Sequence, residues 1–166
     1  MNPRFLVIGY GSPIRGDDAL GPIVAERLLD LDPPADVDIL IRQTLTPDLA
    51  GNLNDAEMAI FIDASTDGPA GELVCRRVVA DPNASLAMVH FLNPAGLLSW
   101  TRQVYGRAPE AYVLSFRGEN FDFHNYRLTP AVEAAVQPMA ERACALIYAV
   151  KNCDFSLLGC VYDNEQ

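Results

Sequence analysis

The sequence predicts a three-layer α/β domain, a mostly parallel sheet with one antiparallel edge strand and helices on both faces. Three observations lead there. Short apolar runs of strand length alternate with longer stretches whose apolar residues recur at helical spacing. The central run, Met58 to Ile62 (MAIFI), is apolar throughout, the pattern of a strand covered on two sides. Two strand candidates are joined through the turn-rich Asp67-Gly68-Pro69-Ala70-Gly71, which suits a chain reversal at one edge of the sheet.

The elements follow in order. Arg4 to Ile8 (RFLVI) reads as a short buried strand, and Pro22 to Leu31 as a helix with Ile23, Val24, Leu28 and Leu31 on one side. Val37 to Arg42 is the second strand. Thr46-Pro47 then marks a helix start, with Thr46 as the cap and Pro47 in the first turn, and that helix is short. The MAIFI strand ends at Asp63, and a fourth strand lies near Glu72 to Val78. Asn93-Pro94 repeats the cap-and-proline start and opens a helix to about Tyr105, whose apolar side includes Leu97 and Leu98. Ala111 to Phe116 is the last strand. Thr129-Pro130 caps the final helix, where Val132, Val136, Met139, Ala143, Ile147 and Val150 recur at helical spacing and would lie on the sheet.

The chain has 166 residues, half of them apolar, which suits one domain over residues 1–151 and a polar C-terminal tail over 152–166. No linker or repeat interrupts it. Twelve basic against 22 acidic residues leave a net charge of −10, which argues against nucleic-acid and anionic-membrane partners. No apolar stretch approaches signal-peptide or membrane-spanning length, so a soluble cytoplasmic protein is expected. Cys75, Cys144, Cys153 and Cys160 have no metal-finger spacing and are expected to be reduced, with Cys75 and Cys144 as small buried thiols.

The stretch most charged with chemistry is Gly9-Tyr10-Gly11-Ser12-Pro13-Ile14-Arg15-Gly16-Asp17-Asp18-Ala19-Leu20-Gly21, between the first strand and the first helix. In an open α/β sheet this is the edge where ligands bind. Gly9 and Gly11 supply two glycines of a dinucleotide fingerprint, but Ile14 occupies the third position and the second strand ends in Arg42-Gln43 rather than an acid. Asp17 and Asp18 would also repel a pyrophosphate at a helix start that normally attracts anions. A cation fits better.

Asp18, Asp63 and His90 all leave loops or strand ends, and neighbouring strands lie roughly 5 Å apart, so the three can share one ion. Two carboxylates and an imidazole suit a divalent transition metal such as nickel or zinc, with positions left open as a catalytic or metal-reading site requires. Burying Asp63 without a partner would cost several kcal/mol, so it needs a cation or hydrogen-bond donors. Asp17 has an equally good reading as a helix-start partner. His124 lies in a polar loop and is expected to face solvent, and no serine or histidine arrangement makes a hydrolase triad.

GYGSPIRGDDALG after the first strand, FIDAS at the third, His90 ahead of a proline-started helix (HFLNPAGLL) and LTPAV opening the last helix together resemble the nickel-hydrogenase maturation endopeptidases. The resemblance runs from about Phe5 to Val150. It implies a twisted five-stranded sheet between helices and a cytoplasmic protease that removes a C-terminal peptide from a hydrogenase large-subunit precursor once nickel has been inserted. By motif position, it makes Asp18, Asp63 and His90 the metal-binding acid, acid and histidine. Nickel would arrive with the precursor, and no organic cofactor is implied. Asp17 and Asp18 are the candidate catalytic acids, with no general base assigned.

The chain departs from the family in having Ser12-Pro13 and Ala19 where asparagine and glycine are common, changes that bear on the loop backbone more than its ligands. It also has Arg42-Gln43-Thr44-Leu45-Thr46-Pro47 in place of a Gly-Gly-Thr loop. That loop borders the site, making Gln43 and Thr44 candidate substrate-binding residues. Two other readings stand beside it: a phospho-acceptor signalling domain, which shares the paired acids and would use magnesium and a lysine after the last strand, and a hydrolase with its own bound zinc. The chain's only lysine is Lys151.

Overall fold

The computed structural model of the chain describes residues 5–83, 92–154 and 156. Five strands, β1 (Phe5–Tyr10), β2 (Val37–Arg42), β3 (Met58–Ser65), β4 (Leu73–Val78) and β5 (Glu110–Arg117), form one sheet in the order β2-β1-β3-β5-β4. β1 pairs parallel with β2 and β3, and β3 with β5; only β4, at the edge, runs antiparallel. The mostly parallel sheet with a reversed edge strand is the one the turn at Asp67–Gly71 predicts.

Helices cover both faces. Because successive strand residues point to opposite sides, Phe5 and Val7 enter one core and Leu6 and Ile8 the other. The first core packs under α1 (Leu20–Asp30) and α4 (Pro130–Lys151), through Leu20, Val24 and Leu28 of the former and Val132, Met139 and Ile147 of the latter. The second packs under α2 (Ala50–Asp55) and α3 (Pro94–Tyr105), through Leu53, Leu97 and Leu98 against Ala59, Phe61 and Val113. Each helix presents an apolar stripe and the sheet supplies the matching surface. None of the helices among the described residues is long and apolar enough to cross a membrane.

Four details differ from the sequence reading. β3 runs past Ile62 to Ser65, so Asp63 lies within the strand instead of ending it. The physical reason is asymmetric pairing: β1 leaves β3 after the Gly9 and Ile62 pair, while β5 continues to pair Asp63, Ala64 and Ser65 with Ser115, Phe116 and Arg117. Secondly, α1 begins at Leu20, two residues before Pro22, and is entered through a 3-10 turn over Gly16–Ala19. Thirdly, Asn93 caps α3 by accepting the Gly96 N–H at 2.8 Å, whereas Thr46 and Thr129 make no side-chain cap bond to their helices. Finally, Cys75 is buried but disulfide-bonded, while Cys144 and Cys153 are free thiols. A disulfide depends on which Cβ atoms the fold brings within bonding distance, so spacing does not reveal it.

Candidate functional site

From β1 the chain crosses one face through α1 to β2, then the other face through α2 to β3, on the far side of β1. The strand order therefore reverses between β1 and β3. Outside the carboxyl ends of these two strands the connections diverge and leave a crevice, the usual ligand position in open α/β sheets.

Two glycines shape the crevice wall. A Cβ at Gly21 would overlap the carbonyl oxygens of Ile62 and Tyr10, so only glycine lets the start of α1 sit directly on the ends of β1 and β3. Gly11 has φ +146°, and a Cβ there would overlap the Asp18 carbonyl oxygen. The loop thus folds back on itself and brings Asp18 over the end of β1. Its carboxylate is oriented by the Ser12 N–H, which donates to Oδ2 at 2.8 Å.

Asp63 comes from β3 and faces the α2 and α3 side, because Phe61 two residues earlier does. It shares a cavity of about 260 Å³ with Asp18, and the lining also includes Tyr10, Gln43, Thr44 and Leu92. Burial pushes the Asp63 carboxyl up to about 7; the Asp18 charge adds to this, while hydrogen bonds from the Tyr10 hydroxyl and the Ala64 N–H oppose it. The Tyr10 hydroxyl is itself driven far above its ordinary value, first by burial and then by the Asp63 charge. Two carboxylates that both open on one small cavity repel each other, and a cation between them would relieve both the repulsion and the desolvation.

Asp17 goes elsewhere. It is fully buried and accepts the N–H groups of Thr129 at 2.7 Å, Glu119 at 2.7 Å and Asn120 at 3.0 Å, together with the Thr129 hydroxyl at 2.9 Å. Burial works against its ionisation, but these donors outweigh burial and hold its carboxyl below the ordinary range. It is a candidate catalytic acid by sequence only. In three dimensions its oxygens are consumed in tying the glycine loop to the 118–129 segment and the start of α4. Backbone bonds from Gly16 to Asn125 at 2.8 Å and Asp17 to Asn120 at 2.9 Å reinforce the same tie.

Of the sequence-predicted residues, Asp18, Asp63, Gln43 and Thr44 come together around one cavity. His90 lies outside the described residues, and no cluster of three metal-ligating side chains occurs among those that are described. His124 is exposed, as expected. Tyr10 is the residue the sequence reading passed over. The signal available was an aromatic residue with a polar tip between two glycines at a strand end, where its ring can pack and its hydroxyl can reach a neighbouring strand.

Comparison with known proteins finds solved structures of similar fold. No family model matches the chain, and no curated protein matches it. Solved structures do. The hydrogenase maturating endopeptidase HybD from E. coli is 26% identical, with 90% of this chain and 93% of that one covered and a TM-score of 0.68. A hydrogenase 2 maturation peptidase from a Thaumarchaeota archaeon is 26% identical over 87% of this chain and 97% of its own, with a TM-score of 0.64. The [NiFe] hydrogenase maturation protease HycI from Thermococcus kodakarensis, 24% identical over 88% and 93% with a TM-score of 0.68, shares the fold. The likeness read from sequence motifs is therefore present in three dimensions over about 90% of the chain.

Proposed function

We propose that this chain is a hydrogenase maturation endopeptidase, which removes the C-terminal extension of a nickel-loaded hydrogenase large-subunit precursor in the cytoplasm. One observation carries the reading: Asp18 and Asp63 open on a single cavity at the switch point of a sheet similar to those of named maturation proteases. In this reading nickel is cargo of the precursor. Held there with coordination positions still open, it is matched by Asp18 and Asp63, with His90 as the third donor. Asp63, near 7, is poised between its two protonation states at neutral pH, and contact with a cation favours the ionised one.

Recognition by an incomplete ligand set explains how readiness is read. Nickel-free precursor offers the two acids no counter-charge, so its approach leaves a desolvated, repelling pair. Loaded precursor removes that penalty and brings the peptide next to the cavity, where the polarising ion can assist attack on the scissile carbonyl. Gln43 and Thr44 on the exposed rim would contact the precursor chain. A phospho-acceptor domain fits less well, because Lys151 is 2.6 Å from Asp36, at the amino ends of the strands and away from the acids.

The test is incubation of the purified chain with nickel-loaded and nickel-free precursor, read by the loss of the C-terminal peptide. Cleavage of the loaded form alone is expected. Cleavage of neither, or of both alike, overturns the reading.

A further inference from the structure

Tyr10 stands one residue past the last β1 and β3 pair, Gly9 with Ile62, so it and Asp63 leave adjacent strands at the same height. Both point to the α2 and α3 face: Leu6 and Ile8 precede Tyr10 on that side of β1, and Ala59 and Phe61 precede Asp63 on that side of β3. The Tyr10 ring packs against the second core, which restrains it, while the residue lines the same cavity as Asp63 and its hydroxyl reaches that carboxylate. The neighbouring Ala64 N–H also donates to Asp63. On the far side of β3, Ser115 stands in register with Asp63. The bond to Asp63 comes from Tyr10, on the flank where β1 has stopped pairing and the cavity opens.

We infer that Tyr10 is a positioning residue: its hydroxyl, anchored by the packed ring, holds the Asp63 carboxylate in the one orientation that faces Asp18 across the cavity. Resting on the function proposed above, this makes Tyr10 a determinant of nickel-loaded precursor recognition without contact between Tyr10 and the metal. A carboxylate at the end of a two-torsion side chain sweeps several positions, and two acids grip one ion only if both are held. Asp18 has the Ser12 N–H for this purpose, and Asp63 has Tyr10.

The test compares wild type with Tyr10→Phe, which keeps the ring and its packing and removes only the hydroxyl. KM and kcat are measured on nickel-loaded precursor, and nickel-free precursor is used as a competitive inhibitor, whose Ki reports the contacts that do not involve the metal. Y10F is expected to raise KM for the loaded precursor about ten-fold, the scale of a lost charge-assisted hydrogen bond, with Ki and kcat unchanged. An unchanged KM overturns the inference, as does an equal rise in KM and Ki, which marks a structural role, or a loss confined to kcat. Wild-type enzyme that does not discriminate between the two precursors overturns the parent reading instead, and the inference with it.

Discussion

Two adjacent carboxylates leave the glycine loop in different directions because the backbone turns between them within the 3-10 segment Gly16–Ala19. Asp17 enters a nest of N–H donors, and Asp18 faces an open cavity. Asp17 and Asp63 therefore bear on stability with opposite signs. The Asp17 carboxyl is lowered from 3.8, so its contribution is present above that value and is lost as pH falls through the depressed native one. The Asp63 carboxyl is raised from 3.8 to about 7, so folding is favoured most below 3.8 and loses that support as pH rises through about 7. Asp17→Asn is expected to lower the unfolding free energy by about 2–3 kcal/mol at neutral pH. Asp63→Asn should raise it by about 1–3 kcal/mol near pH 8, a gain that vanishes toward pH 4. Urea denaturation at the two pH values checks both, and a shift of both variants in one direction would contradict the assignment. D63N would trade processing for stability, as strained functional groups do.

At the scale of elements, the start of α1 determines whether the site forms. Its contact with β1 and β3 is backbone against backbone, without side chains that could yield. Gly21→Ala is therefore expected to destabilise the protein by about 2–4 kcal/mol and to move Asp18 away from Asp63. Gly51→Ala in α2 is the control: the added Cβ meets only the Tyr105 hydroxyl, at 3.5 Å, and helix propensity should make it neutral or stabilising by up to about 1 kcal/mol. Thermal melts of the two variants separate steric exclusion from a general effect of losing glycine. The caps teach a related lesson. Asn93 caps its helix as the sequence suggests, but the Thr129 hydroxyl is drawn to Asp17, a buried charge with greater need of a donor than the helix end.

For the molecule as a whole, a net charge of −10 on a folded chain of 166 residues means self-repulsion, which salt screens. The melting temperature at neutral pH is expected to rise by a few degrees, about 2–5 °C, between roughly 10 and 300 mM sodium chloride. A flat or falling melting temperature would show that ion pairs outweigh the repulsion. Few are available to do so among the described residues: Lys151 with Asp36 is the tightest, and Arg77 with Glu110 is half-exposed at 3.7 Å.

Sequence alone determined the layered α/β architecture, the reversed edge strand, the glycine loop and the two acids worth testing. These follow from local rules: hydrophobic period, turn chemistry and the short reach of a residue to its own loop. Tertiary structure decided that Asp63 lies inside β3, that Asp17 is spent on the 118–129 segment, and that Tyr10 stands beside Asp63 on one cavity. Each depends on which segments become neighbours across more than fifty residues of chain, as Tyr10 and Asp63 do, and no local periodicity records such pairings. Adjacent acids with the same chemistry acquire different roles because the fold offers donors to one and open space to the other.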